Sequence, residues 1–598
     1  MGNPNTDVKT QANTVDVSRE NEEVLRTSED LGVGVIESKE HYPIQADHIT
    51  PDGGEPTEEE CETLRKVSDK IPWSAFLIAV VELCERFSYY GLSGPFQNYM
   101  ENDKHSTNPR GAIGLGQSGA TGLSNYFQFW CYVTPIIGAI VADQYIGKLN
   151  TIIIFALIYI AGLAVLFVTS LPVSINHGGA LPGLVIAMTV IGLGTGGIKS
   201  NISPLIAEQV KATRKKVATL ASGERVIIDP ARTIERVYMV FYLCINVGSL
   251  GAIATTELEL KVGFWAAYVL PLSMFIIGFC VLVLGRKKYV VRKPQGSIIF
   301  IAFRVMWIGV KNKFNMDIAK PSYQRALGNE VEYEWDDTFV EEMKRTMVAC
   351  KVFLYYPIYY ICYQQMLNNF ISQAGTMELH GIPNDIMQNI DPITVIIFIP
   401  IIDQLVFPFL RRKFGIAIKP ITRIALGFCF ASCGMAWAAI VQHIIYTSPP
   451  CYRFPKSSEC LGGSVPNKVH VVVQTPAYFF IAISEIFASV TGMEYAFTKA
   501  PVSMKSFVMS MFLLANAVSA AVGIGLSRAA KHPHIHWLYT GLAISSFIAG
   551  GVFWLLYHRY NETEESMNAI GRNTEEESRS APSNENDHVD TESFLEIN

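Results

Sequence analysis

Apolar positions along the chain gather into runs long enough to cross a bilayer, separated by short polar stretches. A hydrocarbon core about 30 Å thick takes roughly 20 helical residues. Runs of that kind lie near 72–96, 118–142, 150–170, 181–203, 237–256, 264–284, 349–370, 391–410, 420–444, 471–496, 507–527 and 536–558, which predicts twelve spanning helices. The first, fourth and seventh carry polar residues that a strict hydropathy count penalises. A polar stretch follows the sixth span. The expected organisation is therefore a tail at 1–70, a six-helix bundle at 71–284, a linker at 285–345, a second six-helix bundle at 346–560 and an acidic tail at 561–598. Both tails offer nothing to bury and are expected to be disordered and cytosolic. Within the linker, "SIIFIAFRVMWIGVKNKFNMD" reads equally as an amphipathic helix on the membrane surface or as a structured connector.

Composition strengthens the membrane reading. The chain of 598 residues is 49% apolar and only 17% charged, against about 25% charged in soluble proteins. The net charge of −6 conceals a division, with acid in the tails and base in short connections. Such scattered base does not make a nucleic-acid face, so no nucleic-acid partner is expected. It orients the chain instead. Lys211, Arg214, Lys215, Lys216, Arg225, Arg232 and Arg236 follow span four, Arg286, Lys287, Lys288, Arg292 and Lys293 follow span six, and Arg411 to Lys413 close span eight. These connections and both termini are expected in the cytosol. The other face includes a long loop at about 445–470, where Cys451 and Cys460 could bridge on an oxidising side. The eleven cysteines otherwise form no metal pattern, and no metal or cofactor is expected.

Ionisable groups inside spans cost about 2.5–3.5 kcal/mol each, which makes them functional candidates. Span one carries "VELCERFSYYG", with Glu82, Glu85, Arg86, Tyr89 and Tyr90. Glu82 and Arg86 stand four apart and can pair along one face, with Glu85 about a turn above Glu82. Two carboxylates beside one guanidinium can hold or release a proton as their pairing changes, and a purely structural ion cluster is the bland alternative. The planar fork of Arg86 also suits a substrate carboxylate, with Tyr89 and Tyr90 as a wall. Lys199, in "GTGGIKSN", either lines a cavity or snorkels to the cytosolic face. Gly192, Gly194, Gly196 and Gly197 favour the cavity, because they admit a neighbouring helix just before it. Glu485, within span ten, has no basic neighbour on its own helix and suits a primary ammonium. The site then has two poles, base from the first half and acid from the second, matched to a short zwitterion. Asp143 and Lys148 suit a hinge at the inner end of span two, while Glu494 and Lys499 suit structural or gating contacts. Asn246 and Asn201 are polar residues with hydrogen-bonding roles.

Five long motifs carry a resemblance. "ELCERFSYYG" from Glu82, "CYVTPIIGAIVADQYIGK" from Cys131, "GTGGIKSNISPLIAEQ" from Gly194, "FYLCINVGSL" from Phe241 and "SEIFASVTGMEYAFTKAPVSMKS" from Ser484 resemble, in order, the proton-dependent oligopeptide transporter family, and its fungal members in particular. The resemblance covers roughly 70–560. It implies the major facilitator fold, an all-α membrane protein of two six-helix bundles that imports di- and tripeptides with protons by alternating access. By this likeness, Glu82, Glu85 and Arg86 resemble the proton-coupling cluster. Arg86, Tyr89, Tyr90, Tyr132, Lys199, Asn246 and Glu485 resemble residues around the peptide pocket, with Arg86 and Lys199 toward the carboxylate and Glu485 toward the amino group. The partners implied are small peptides, protons and the lipid bilayer. A functional monomer is expected, with the plasma membrane as the default for import and an internal compartment as the alternative.

The chain also departs from that family. Gln364 stands where many members place an acid that pairs with the fourth-span lysine, so Lys199 must be balanced otherwise. Asn125 stands where animal members have histidine, which shifts proton coupling toward the first-span carboxylates. Asp391 replaces a frequent asparagine and Glu208 a usual aspartate. The competing readings are a transporter of another zwitterion or anion such as nitrate, and a transporter-like nutrient receptor. No paired catalytic motif suggests an enzyme.

Overall fold

The computed structural model describes residues 50–51 and most of 56–558, with short interruptions. The expected tail at 561–598, and all of 1–49, lie outside the described residues. The main helices are α1 (Trp73–Ser93), α2 (Phe96–Glu101), α3 (Gly116–Val141), α4 (Lys148–Thr169), α5 (Ala180–Ala207), α6 (Pro230–Ser249), α7 (Gly251–Lys261), α8 (Phe264–Leu284), α9 (Ile298–Lys311) and α10 (Asp337–Cys350). They continue as α11 (Tyr356–Gln364), α12 (Asn369–Ala374), α13 (Ile390–Ile401), α14 (Phe407–Phe414), α15 (Pro420–Thr447), α16 (Thr475–Ser484), α17 (Thr491–Lys499), α18 (Lys505–Leu526) and α19 (Ile535–Tyr557).

Among the described residues, ten helices are long and apolar enough to cross a membrane. The sequence pattern counted two more. One is α1, whose 21 residues have the length but carry Glu82, Glu85 and Arg86. The other is the stretch from Lys351 to Ala374, which is broken by 3-10 turns at Lys351–Tyr355 and Gln365–Leu367 on either side of α11. Charge removes the first from a hydropathy count and broken helix removes the second.

The apolar side chains form two large separate cores. One runs from Ala75 to Tyr289, the other from Ala302 to Tyr557. Within the first half, α4 packs on α5 and α1 on α6 and α8; within the second, α15 packs on α16 and α19. The linker belongs to the second core. Ala302 and Val305 of α9 are fully buried in it, and Phe303 meets Phe507 with ring centres 6.0 Å apart. The opposite face of α9, with Phe300, Trp307 and Val310, is exposed and apolar, so α9 is an amphipathic helix packed on the second core.

Three π-helical turns interrupt spans, at Ala142–Ile146, Ile402–Val406 and Glu485–Val490. Gly147, at φ 78°, then turns the chain into α4, a conformation that glycine adopts without strain. The tail expectation for 1–70 gives way near its end. Strands β1 (Thr50–Pro51) and β2 (Lys66–Val67) flank a hairpin of β3 (Lys216–Thr219) and β4 (Arg225–Ile228), in the order β1-β3-β4-β2. Val217, Ala218, Val226 and Ile227 bury the hairpin, and Arg65 clasps Glu224 through two 3.1 Å contacts. This sheet marks the linker end of the molecule.

At the far end the two halves are stitched together. Gln97 donates to Ser372 Oγ at 2.9 Å, Gln117 and Thr121 donate to Asn369 Oδ1 at 3.1 and 2.9 Å, and Ser118 donates to the Ser527 carbonyl at 2.7 Å. Glu101 also accepts from Ser372. Cys451 and Cys460 are joined as a disulfide in the far-end loop. There β5 (Met377–Glu378) pairs in parallel with β6 (Asn467–His470).

Candidate functional site

The charge cluster of α1 sits where neighbouring backbones close in on it. A Cβ on Gly248 of α6 would lie 2.7 Å from Arg86 Cβ, and one on Gly278 of α8 would lie 2.7 Å from Cys84 Cβ. Glycine at both positions lets two helices grip α1 and exclude solvent from Glu82, Glu85 and Arg86, which are 3%, 0% and 6% exposed. Arg86 Nε is 3.1 Å from Glu82 Oε1 and 2.5 Å from Glu85 Oε2. The contacts are ionic and not aligned N–H···O bonds, and Arg86 Nη2 has no hydrogen-bond acceptor among the described residues. The guanidinium lies 5.5 Å from the centre of the Tyr89 ring, and Tyr89 donates to Gln128 Oε1 at 3.2 Å. Breaking such a buried ion cluster costs about 3–5 kcal/mol, because the charge left behind has no water to turn to.

Lys199 stands on α5 at the same level, within electrostatic reach of Glu82 and Glu85. Its ammonium lies over the Tyr132 ring, 4.1 Å from the centroid. The glycine spacing does what the sequence suggested. A Cβ on Gly138 of α3 would lie 2.6 Å from both the Gly196 carbonyl oxygen and Gly197 Cα, so α3 and α5 touch backbone to backbone. Asn201 spans the same crossing, donating to the carbonyls of Gly138 and Gly197 at 3.2 and 2.8 Å. That crossing carries Tyr132 and Lys199 to one surface, and both side chains are only partly buried.

The acid pole lies in the second half. Glu485 opens the π-helical turn after α16 and lies close enough to interact with Asp391 at the start of α13 and with Tyr363 on α11. Tyrosines connect the poles. Tyr90 and Tyr242 lie within electrostatic reach of Glu485 and Asp391, and Tyr360 within reach of Tyr132 and Glu485. Tyr132 itself faces Tyr90 and Tyr363. The space between base and acid is thus walled by phenol rings, which offer an apolar face and a hydroxyl at once.

Other residues singled out in the sequence have different surroundings. Gln364 is buried and donates to Asn516 Oδ1 at 2.7 Å and Ser519 Oγ at 2.9 Å on α18, which ties α11 to its own half. It also borders a cavity of about 20 Å³ below the far-end seal, room for about one water. Asn246 donates to the Tyr242 carbonyl at 2.8 Å and so braces α6. Asn125 is buried against Gly523 of α18 at the junction of the halves. Lys148 pairs at 2.5 Å with Glu208, which joins the start of α4 to the end of α5, a neighbouring helix end. Asp143 lies in the adjacent π turn, and Glu494 lies on α17. Sequence reasoning missed Tyr242, Tyr360 and Tyr363 as wall residues. The signal was there in Tyr356, Tyr359, Tyr360 and Tyr363, which repeat at helical spacing through "YYPIYYICYQQ".

Ten apolar helices of spanning length among the described residues, two helical cores and charged groups of opposite sign on the two halves define a polytopic helical membrane protein. The POT family model, PTR2, matches residues 149–540, and the chain belongs to that family. It is 54% identical to peptide transporter PTR_A of Candidozyma auris, over 90% of both chains. It is 51% identical to peptide transporter PTR2 of Saccharomyces cerevisiae, over 91% of this chain and 88% of that one. The fold is shared with the crystal structure of the POT family transporter PepTSo, with a TM-score of 0.64 and 20% identity over 83% of this chain and 99% of the other. An auto-inhibited POT family peptide transporter matches equally, at a TM-score of 0.64 over 82% and 97%.

Proposed function

We propose that the protein carries di- and tripeptides into the cytosol together with protons, by alternating access of two six-helix bundles. The observation that carries this reading is the placement of Arg86 and Lys199 on the first half opposite Glu485 on the second, with tyrosines between. A zwitterion bridging those poles neutralises both halves at once, and only a ligand that prefers one arrangement over another can drive a change between them. Named peptide transporters at about half identity over nearly the whole chain support the substrate class. Nitrate would leave Glu485 unmatched, and a flux-free receptor has no observation in its favour.

In this reading α1 and the broken α11–α12 stretch complete twelve spans. The linker end, with its basic connections, faces the cytosol, and the far-end seal makes this an inward-facing arrangement. Protonation of Glu82 or Glu85 loosens its hold on Arg86 and frees the fork for the peptide carboxylate. Lys199 attracts the same carboxylate, while Glu485 and Asp391 receive the ammonium. Inward opening hydrates the cavity, the proton leaves, and the α1 cluster re-forms as the peptide departs. The working unit is a monomer in the plasma membrane.

The test is uptake of a labelled dipeptide by proteoliposomes containing the purified protein, with and without an inward proton gradient. Accumulation above equilibrium that needs the gradient and is abolished by unlabelled dipeptide is the expected result. Folded, correctly oriented protein that accumulates nothing overturns the reading.

A further inference from the structure

A second pair of carboxyls lies far from the substrate site, at the far-end seal. Glu259 projects from α7 in the first half and is 3% exposed. Asp385 precedes α13 in the second half and is fully buried. Asn98 bridges from Glu259 to Asn384, the residue before Asp385, so the two buried carboxyls stand on either side of the junction and within electrostatic reach of each other. An asparagine clasp fixes them. Asn98 Nδ2 donates to Glu259 Oε1 at 3.0 Å and to Asn384 Oδ1 at 2.8 Å, while Asn384 Nδ2 donates to Asn98 Oδ1 at 2.8 Å and to the Ile371 carbonyl at 3.0 Å.

That inventory commits the amide donors. Glu259 Oε2 and both oxygens of Asp385 are buried and receive no hydrogen bond from a donor side chain among the described residues. The neighbouring cation is engaged elsewhere, since Arg110 donates to the carbonyls of Val262 at 2.9 Å and Lys261 at 3.4 Å. Lys261 pairs with Glu257 at 2.7 Å, and Glu257 presents a further negative charge to Asp385. Tyr268 of α8, with Tyr99 behind it, and Tyr478 of α16 face the pair, but neither the Tyr268 nor the Tyr478 hydroxyl makes a hydrogen bond among the described residues. Two ionised carboxylates are acceptors only and cannot bond to each other. Between the two carboxyls themselves, the donor that lets them meet is an acid proton.

We propose that Glu259 and Asp385 together bind a proton as the two halves close at the far end, and that loss of this proton opens that end. Burial, the largest cause, pushes the Asp385 carboxyl above its ordinary range, while its own backbone amide pulls the other way. When the halves part, water reaches both groups and the shared proton is released. One proton held more tightly by the closed form changes the closed-to-open ratio by about tenfold per pH unit across the window between the two affinities. The pair stands on this geometry alone, whereas the compartment that supplies the proton, the outside, rests on the orientation proposed above.

The experiment is a distance measurement between spin labels at Val173→Cys and Tyr452→Cys, exposed far-end positions on opposite halves. It uses the full chain in lipid nanodiscs without peptide, after replacement of exposed Cys280 and Cys433. The closed population is expected to fall from pH 5 to pH 8. In Glu259→Gln the amide supplies a permanent donor, so the closed population should persist across that range. Asp385→Asn provides the same test from the other half if the first variant does not fold. A variant that opens along the same pH profile as the parent chain overturns the proposal. So does an opening that follows sodium against choline instead of pH, because the ligand is then a metal cation. Neither outcome bears on dipeptide uptake, which tests the substrate reading separately.

Discussion

Arg86 and Glu85, adjacent in sequence, meet through Nε and Oε2 at 2.5 Å inside α1, with side chains 7% and 0% exposed. Neighbours on a helix do not share a face, so this contact is not one that helix spacing alone provides. Glu82, a full turn earlier, holds the same nitrogen from the other side. Glu85→Gln removes one of two counter-charges and the only one in tight contact. Gradient-driven accumulation of dipeptide is expected to collapse to the equilibrium level, while exchange of peptide for peptide continues. Counterflow and uphill uptake measured on the same proteoliposomes check this. Undiminished uphill uptake in both Glu82→Gln and Glu85→Gln would sink the coupling role.

The two poles make separable predictions about peptide ends. A charge-assisted hydrogen bond contributes roughly 1.5–3 kcal/mol, or about ten- to hundredfold in affinity. Lys199→Gln should raise KM for a free dipeptide by that range and leave KM for its C-terminal amide nearly unchanged. Glu485→Gln should do the same for free against N-acetylated dipeptide. Competition assays with the three ligands decide it. Equal losses for blocked and free peptides would mean that the residues hold the fold and not the ligand.

Gly138 has no room for a side chain, since a Cβ there would lie 2.6 Å from the backbone of α5. Gly138→Val is expected to destabilise by about 1–3 kcal/mol, seen as a lower melting midpoint in detergent. Gly525→Ala, with nothing within 4 Å of its Cβ position, is the control and should melt with the parent chain.

The linker carries a pH dependence outside the membrane. Asp317 and Glu341 are held below their ordinary 3.8 and 4.5, first by hydrogen bonds from Lys320 and then by those from Lys344. The same contacts raise Lys320 above its ordinary 10.5. A depressed carboxyl contributes stability above its unfolded value and loses it as pH falls through the folded one. A raised lysine contributes below its unfolded value and loses it as pH climbs through the folded one. The contacts joining α10 to residues 316–320 should therefore hold from about pH 5 to 10 and loosen below pH 4. Hydrogen exchange of segment 316–344 measures this, and a segment equally protected at pH 3 and 7 would refute it.

Much of this molecule is legible in its amino-acid sequence, for a physical reason. Charges in hydrocarbon are costly, so "ELCERFSYYG", Lys199 and Glu485 stand out, and glycines before Lys199 announce a close helix crossing. What stays hidden depends on partners distant in sequence. Nothing near Gln364 points to Asn516 and Ser519, and Glu259 reads as an ordinary charge at a helix end until Asp385 is found opposite it. The tyrosine wall lies in plain view but looks like span filling. The hairpin between α5 and α6 falls in a segment whose basic residues speak for orientation, while its apolar pairs, Val217 with Ile227 and Ala218 with Val226, are too short to announce strands.

The backbone contact between Gly138 and the Gly196–Gly197 pair has a mechanical consequence. Helices in such contact cannot slide or tilt against each other without clash, so α3 and α5 act as one stiff plate. Tyr132 rides on one helix of that plate and Lys199 on the other, which keeps the cation on its ring whatever the rest of the protein does. The α3–α5 plate then serves as a fixed mount for Lys199, while Arg86 on α1 is the part of the first half whose grip changes. All change in the gap from Lys199 to the acid pole comes from the opposing half, and the Lys199-to-Glu485 separation becomes a single ruler for the whole stroke.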